Sequence, residues 1–255
     1  FHDFRKLAKR RLPSPIFNYI DGAADDEVTY RRNWQSFEDC DLVPNVLTGV
    51  EDIDMSVTVM GQKLDMPIYC SPTALQRVFH HEGEFAVATA AEKFGTMFGV
   101  SSLGTVSLQD IKAKHSNPQA YQFYFHKDRG LNQAMLETAK EVGIDVMMLT
   151  VDTITGGNRE RDVAEMVKFW DGEFCLKGIM SVEDAKKAVD IGCTGIIISN
   201  HGGRQLDGSR SPFDQLAEIV DAVGDEIDVI MDSGIQRGTH VLKALSLGAK
   251  AVGGG

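Results

Sequence analysis

The sequence predicts a (β/α)8 TIM barrel preceded by a short helical lead-in. Three observations carry this. Eight short apolar runs are spaced through residues 65–255, amphipathic stretches fill most of the gaps between them, and the runs are apolar throughout, as expected of parallel strands covered on both faces. A doubly wound open sheet shares the strand–helix alternation and is the rival architecture.

Residues 1–64 form the lead-in of a single domain, and 65–255 the barrel. Phe1–Arg11 has helical spacing in Phe4, Leu7 and Ala8, and Pro13 and Pro15 stop and restart it. Pro15–Tyr19 begins a second short helix ending near Gly22. Val57–Met60, Gly61 and Gln62–Leu64 suggest a small hairpin closing the barrel bottom.

The strand candidates are Pro67–Cys70, Met97–Ser101, Tyr121–Phe125, Val146–Val151, Phe174–Lys177, Gly195–Ser199, Val229–Met231 and Ala251–Gly253. Helices are marked at Glu82–Phe94 before Gly95, and at Leu131–Val142 before Gly143. Ser181 caps one that runs to Gly192, with Asp184 at the capping-box position, and Ser211-Pro212 opens another before Gly224. Thr239–Leu247 precedes Gly248. Gly253–Gly255 follows the eighth strand directly, where a closed barrel continues into a covering helix, so the barrel reads as incomplete there.

Hydrophobic residues make up 43% of the chain, enough for a continuous core, and 26 Lys+Arg against 37 Asp+Glu leave a net charge of −11. An acidic surface repels phosphodiester backbones, which argues against nucleic acid as a partner. A local pair of arginines still permits an anionic substrate. Cys40, Cys70, Cys175 and Cys193 form no C-x-x-C pair and no zinc spacing. Cys70, Cys175 and Cys193 sit among apolar residues and read as reduced core thiols, which favours a cytoplasmic setting; no metal is expected, and peripheral membrane attachment stays open.

In a barrel, chemistry gathers at the C-terminal strand ends. Polar residues accumulate at those ends here: Ser71-Pro72-Thr73-Ala74, Ser101-Ser102, Gln122 with Tyr124, Thr150-Val151-Asp152 and on to Arg159, Lys177, the run from Ser199 to Arg204, and Asp232-Ser233-Gly234. So many at one rim indicate a site for a polar cofactor as well as a substrate. Each also has a plainer reading. His201 alone could be a structural histidine, Asp152 a cap, Arg159 part of a solvated charge run, and Tyr19 packing. His80, His81 and His126 have no partners in sequence that make them ligands.

Together these residues resemble the FMN-dependent 2-hydroxy-acid oxidase and dehydrogenase family. The most specific segment is Ser199-Asn200-His201-Gly202-Gly203-Arg204-Gln205-Leu206-Asp207-Gly208. Pro72-Thr73-Ala74, Tyr121–Tyr124, Lys127-Asp128-Arg129, Thr150–Thr153 and Asp232-Ser233-Gly234 fit in the right order. A related FMN-dependent isomerase group lacks the His-Gly-Gly-Arg element.

The resemblance implies FMN as cofactor, His201 as base, and Asp152 as the carboxylate stabilising its imidazolium. It implies Arg159 and Arg204 as grips on the substrate carboxylate, and Tyr19 and Tyr124 as substrate hydrogen-bond partners. Lys177 would sit by the flavin N1–O2 edge. Pro72, Thr73, Ala74, Ser101, Gln122, Thr150 and Ser199 would contact the ring or ribityl chain. Asp232, Ser233, Gly234, Arg237 and Gly255 would lead toward the phosphate. An assembly of four or more copies is implied, with oxygen, a quinone or a cytochrome as electron acceptor.

Three departures from the family pattern stand out. Arg161-Asp162 runs almost directly into Ala164–Trp170, so a segment after the fourth strand is expected to be missing at a junction near 162–164. The chain ends at Gly255, where the family continues into a phosphate-binding arginine. Gln236 stands where many members have another, leaving Arg237 as its neighbour. Leu103 occupies a position where glycolate-preferring members often place Trp, which suits L-lactate. The expected activity is oxidation of a small L-2-hydroxy acid to the 2-oxo acid; the alternative is an inactive FMN-binding barrel.

Overall fold

Eight parallel strands close into a barrel in which the last strand pairs with the first. The structure is a computed structural model and describes residues 2–153 and 160–255. The lead-in holds helices α1 (His2–Arg11), α2 (Ser14–Asp21) and α3 (Val28–Glu38), then an antiparallel hairpin of β1 (Val57–Val59) and β2 (Gln62–Leu64). The barrel strands are β3 (Ile68–Cys70), β4 (Phe98–Ser101), β5 (Gln119–Tyr124), β6 (Val146–Thr150), β7 (Glu173–Ile179), β8 (Gly195–Ile198), β9 (Asp228–Met231) and β10 (Ala251–Gly254). Helices α4 (Glu84–Lys93), α5 (Leu108–Lys114), α6 (Arg129–Val142), α7 (Glu160–Trp170), α8 (Val182–Asp190), α9 (Pro212–Val223) and α10 (Gly238–Ser246) alternate with them. The closed barrel replaces the open-sheet alternative.

The expected strands are all present, and serine or aspartate side chains start four of the helices. Ser107, Asp128, Ser181 and Ser211 each accept a backbone N–H from the first turn of α5, α6, α8 and α9. The strands are apolar on both faces, yet the faces separate cleanly. Tyr69, Met97, Ala120, Val146, Met148, Cys175, Ile197, Ile230 and Ala251 point into the barrel, with Val59, Met60 and Leu64 of the hairpin plugging its N-terminal end. Phe98, Val100, Phe123, Met147, Leu149, Leu176, Ile196, Ile198, Met231 and Val252 face the helices. Each Val, Leu, Ile, Phe or Met among them that is removed from water contributes roughly 1.5–3 kcal/mol. Cys175 and Cys193 lie in these two layers as free thiols, and burial raises both above the usual thiol range.

Two helices were not expected. The inner face of α3 is Thr29, Asn33, Ser36 and Phe37, a mostly polar stripe that carries no hydrophobic periodicity although all four are buried. The seven-residue α5 buries only Leu108 and Ile111. Conversely, α1 forms as expected but buries none of its described residues, and Phe4 and Leu7 are exposed.

Candidate active site

The barrel interior changes character along its axis. Above the apolar layers, the inward positions at the C-terminal ends hold Ser101, Gln122, Thr150, Lys177, Ser199 and Asp232, all buried. Strand register brings several of them side by side, since Ser101 pairs with Gln122 and Thr150 with Lys177. The Ser101 hydroxyl donates to Gln122 Oε1 at 3.1 Å, and Gln122 Nε2 donates to Thr150 Oγ1 at 2.8 Å. Lys177 Nζ lies 2.6 Å from Asp232 Oδ2 and donates to Ser199 Oγ at 2.7 Å. A buried ion pair adds little to stability over an apolar pair of the same volume. A charged, hydrogen-bonded floor inside a barrel is therefore suited to holding a polar ligand.

The loop after β8 carries three successive residues with left-handed backbone, His201 (φ 60°), Gly202 (φ 67°) and Gly203 (φ 75°). A β-carbon on Gly203 would lie 2.7 Å from the backbone nitrogen of Tyr30, so only glycine fits there. Side-chain oxygens catch all three N–H groups. His201 N–H donates to Ser199 Oγ at 3.1 Å, Gly202 N–H to Ser233 Oγ at 3.0 Å, and Gly203 N–H to Asn200 Oδ1 at 3.0 Å. Ser233 Oγ in turn donates to Asp232 Oδ1 at 3.0 Å, which ties the loops after β8 and β9 together.

This turn aims His201 at Asp152. His201 Nδ1 lies 3.0 Å and 3.1 Å from the two carboxylate oxygens. A carboxylate only accepts, so Nδ1 carries the proton and Nε2 is left with a lone pair for a substrate. Asp152 rests against β7 where Gly178 interrupts its register at φ +104°. The Tyr124 phenol is half-buried at the end of β5. Burial, and secondarily the nearby charge of Asp152, raise its ionisation above the ordinary tyrosine range.

The lead-in reaches the same rim. The Arg204 guanidinium lies 5.1 Å from the centre of the Tyr19 ring and donates to the Gly22 carbonyl. Ala24 N–H donates to the Gly203 carbonyl at 3.0 Å. Tyr19 is exposed and stacks on Phe79, their ring centres 6.4 Å apart.

Pro72, Thr73 and Ala74 follow β3. Pro72 packs so closely on Gly99 of β4 that a β-carbon there would lie 2.8 Å from Pro72 Cδ. Thr73 Oγ1 accepts from Gln76 Nε2 at 2.8 Å, and Gly255 approaches Ser71 and Thr73. Gly234 (φ +90°) lies against the Asn33 carbonyl, which a β-carbon would approach to 2.0 Å. Arg237 is exposed at the start of α10, and that helix has no side-chain cap. Its first N–H groups are thus open to an anion.

The expected site residues therefore meet at one rim, except Arg159, which lies outside the described residues. FMN has a polar ring system, a polyol chain and a phosphate; the buried polar ring, the glycine-lined β3–β4 and β10 edge, and the uncapped α10 fit those parts. Sequence reading missed Asn33 and Gly178 as parts of the site, and placed Asn200 at the rim without a role for its side chain. Glycine at a strand end was the one visible signal for Gly178, while the two asparagines are 167 positions apart.

The sequence matches the model of the FMN-dependent dehydrogenase family over residues 8–169 and 161–255. An L-lactate oxidase of Nostoc sp. is 36% identical over 303 aligned positions, covering 98% of this chain and 83% of that protein. Glycolate oxidase 1 of Oryza sativa subsp. indica is 34% identical, covering 98% of this chain and 81% of the other. A mandelate oxidase variant solved with a monooxide FMN adduct superposes with a TM-score of 0.93 at 34% identity, covering 98% of this chain and 84% of that one.

Proposed function

Because the chain belongs to the FMN-dependent dehydrogenase family, whose cofactor is FMN, we propose that it oxidises a small L-2-hydroxy acid, with L-lactate the first candidate, to the 2-oxo acid. The observation that carries this is the His201–Asp152 pair on the same rim as Arg204 and Tyr19, above the buried Lys177–Asp232 pair.

Arg204 binds the substrate carboxylate through its planar fork, with Arg159 as second grip. Tyr19 and Tyr124 donate to the substrate's oxygens. His201 Nε2 takes the proton that leaves the substrate, from its hydroxyl or its α-carbon, and becomes imidazolium on either route. Asp152 lowers the energy of that charged state more than that of the neutral ring. Bound FMN supplies the sink for the two electrons leaving the α-carbon. Ser101, Gln122, Thr150, Lys177, Ser199 and Asp232 hold the ring and ribityl chain, with Pro72, Thr73 and Ala74 along one edge. Ser233, Gly234, Arg237, Gly255 and the start of α10 receive the phosphate.

L-Lactate is favoured by Leu103, half-exposed beyond β4, whose aliphatic side chain is smaller than an indole. Dioxygen as acceptor is supported by both relatives being oxidases. Assembly into tetramers or larger is supported by the exposed apolar side chains of Val43, Val46, Leu47, Val50 and Ile53, with light scattering as its check. The junction near 162–164 is supported by the family match falling in two pieces that meet at 161–169. It is also supported by an alignment of 303 positions for a chain of 255 residues.

The test is the visible spectrum of the FMN-loaded protein on anaerobic addition of L-lactate, glycolate or L-mandelate. Bleaching, fastest with L-lactate, is expected. Bleaching by another acid alone would move the substrate, and no bleaching by any would leave an inactive flavin-binding barrel.

A further inference from the structure

The proposed base stands on a strained turn, and what holds that turn lies in the lead-in. His201 is a non-glycine residue in left-handed conformation, which is strained and persists only when its surroundings over-determine it. The Asn200 side chain supplies one of the holds, accepting from Gly203 N–H at 3.0 Å. Asn200 is itself fixed by α3. Its Nδ2 donates to Asn33 Oδ1 at 2.6 Å and to the Arg210 carbonyl at 3.1 Å, and its Oδ1 accepts from Asn33 Nδ2 at 2.9 Å. All four hydrogen-bonding positions of the Asn200 amide are filled, so the amide has one orientation.

Asn33 is 2% exposed and its backbone carbonyl sits against Gly234 in the loop after β9. One residue of α3 therefore touches both loops that build the rim. The helix is pinned in place from the other side. Asp207, six residues beyond His201, accepts from Thr29 N–H at 2.8 Å and from Val28 N–H at 3.3 Å, capping α3 where the helix has no side-chain cap of its own. One turn beyond Asn33, Phe37 stacks on His240 of α10, ring centres 4.6 Å apart.

We propose that Asn33 is a positioning residue for the His201 base: it clamps the Asn200 amide, which holds the left-handed His201-Gly202-Gly203 turn against Asp152. The inference rests on the reading of His201 as the base. A core-filling role alone would need neither the reciprocal amide pair nor its continuation to Gly203 N–H.

The test uses the FMN-loaded full chain with Asn33→Leu, which keeps the branched side-chain shape and removes both hydrogen bonds to Asn200, and with Asn33→Asp. Hydrogen exchange is followed in peptides covering Ser199–Asp207 and Val146–Thr150 of both variants. Exchange is expected to rise in the first and stay unchanged in the second; an equal rise in both marks general loosening and overturns the proposal. In Asn33→Leu, kcat is expected to fall about tenfold or more with KM within about twofold, a tenfold loss being about 1.4 kcal/mol in the barrier.

Asn33→Asp keeps an acceptor for Asn200 Nδ2, but only its protonated carboxyl can donate to Asn200 Oδ1. Its kcat relative to wild type should therefore climb as pH falls, which a packing role would not produce. Wild-type kcat in Asn33→Leu, or a pH-independent ratio for Asn33→Asp, would overturn the proposal. If Asn33→Leu is insoluble, Asn33→Asp carries both readouts. If no 2-hydroxy acid reduces the wild-type flavin, the function reading fails, and exchange alone still decides whether the clamp exists.

Discussion

Substituting Gly178 by alanine should reach the base through the backbone of a neighbouring strand. A β-carbon at Gly178 would lie 2.6 Å from Asp152 Cβ, 2.7 Å from Asp152 Cγ and 3.0 Å from Asp152 N. Carbon atoms in contact sit about 3.5–4.0 Å apart, so Asp152 has to retreat by about 1 Å. Its carboxylate stands 3.0 Å and 3.1 Å from His201 Nδ1, and at about 3.6 Å that contact is no longer a hydrogen bond. Overpacking of this kind costs about 1–3 kcal/mol, and a non-glycine residue at φ +104° adds about 1–2 kcal/mol. The sum, about 2–5 kcal/mol, corresponds to a fall in Tm of roughly 5–20 °C for a domain of this size.

Gly143→Ala is the control. Gly143 ends α6 at φ +76° with nothing within 4 Å of its would-be β-carbon, so it carries the backbone cost without the collision. Thermal unfolding followed by circular dichroism, with kcat on L-lactate, separates the two. Gly178→Ala should lose both Tm and kcat, and Gly143→Ala only a few degrees of Tm, roughly 2–4 °C per kcal/mol. Equal Tm losses with kcat intact in both variants would refute the claim that Gly178 seats Asp152.

Lys177→Met should leave Asp232 buried without its partner, at a cost of about 3–5 kcal/mol, and should weaken FMN retention on dialysis. Lys177→Met/Asp232→Asn should recover much of the stability by thermal melt but not the flavin reduction rate; recovery of both would remove Lys177 from the flavin site. Burial and Asp152 raise the ionisation of Tyr124, so the phenol stays a neutral donor through the mildly alkaline range. Tyr124→Phe should therefore raise KM about tenfold, the loss of roughly 1.4 kcal/mol of hydrogen bonding, while leaving the alkaline limb of the kcat/KM profile in place. Disappearance of that limb in the variant would mean that Tyr124 titrates there.

The barrel was legible because its strands are apolar runs closed by turn residues, and its helices carry serine caps and terminal glycines. Ser181 and Ser211 cap in the structure as their positions in the sequence suggested. Runs apolar on both faces hid the pleat, so it could not be read that Gln122, Thr150 and Lys177 point inward while Tyr121, Leu149 and Leu176 point out. The inward polar residues were recognisable as a group only by their place at strand ends. The α3 helix escaped because Thr29, Asn33 and Ser36 are buried by hydrogen bonding and close packing instead of hydrophobicity, and no periodicity of apolar residues records that. The contact between Arg204 and Tyr19 depends on how α2 folds over the rim, which neither segment reveals alone.

The most direct test of the account is stopped-flow reduction of the bound flavin by L-lactate without oxygen, in wild type and in His201→Ala. The account expects the wild-type flavin to bleach and the His201→Ala flavin, equally well bound, to stay oxidised over the same time. Bleaching of His201→Ala at the wild-type rate would contradict it, because the Nε2 that Asp152 orients would then have no part in removing the substrate's proton.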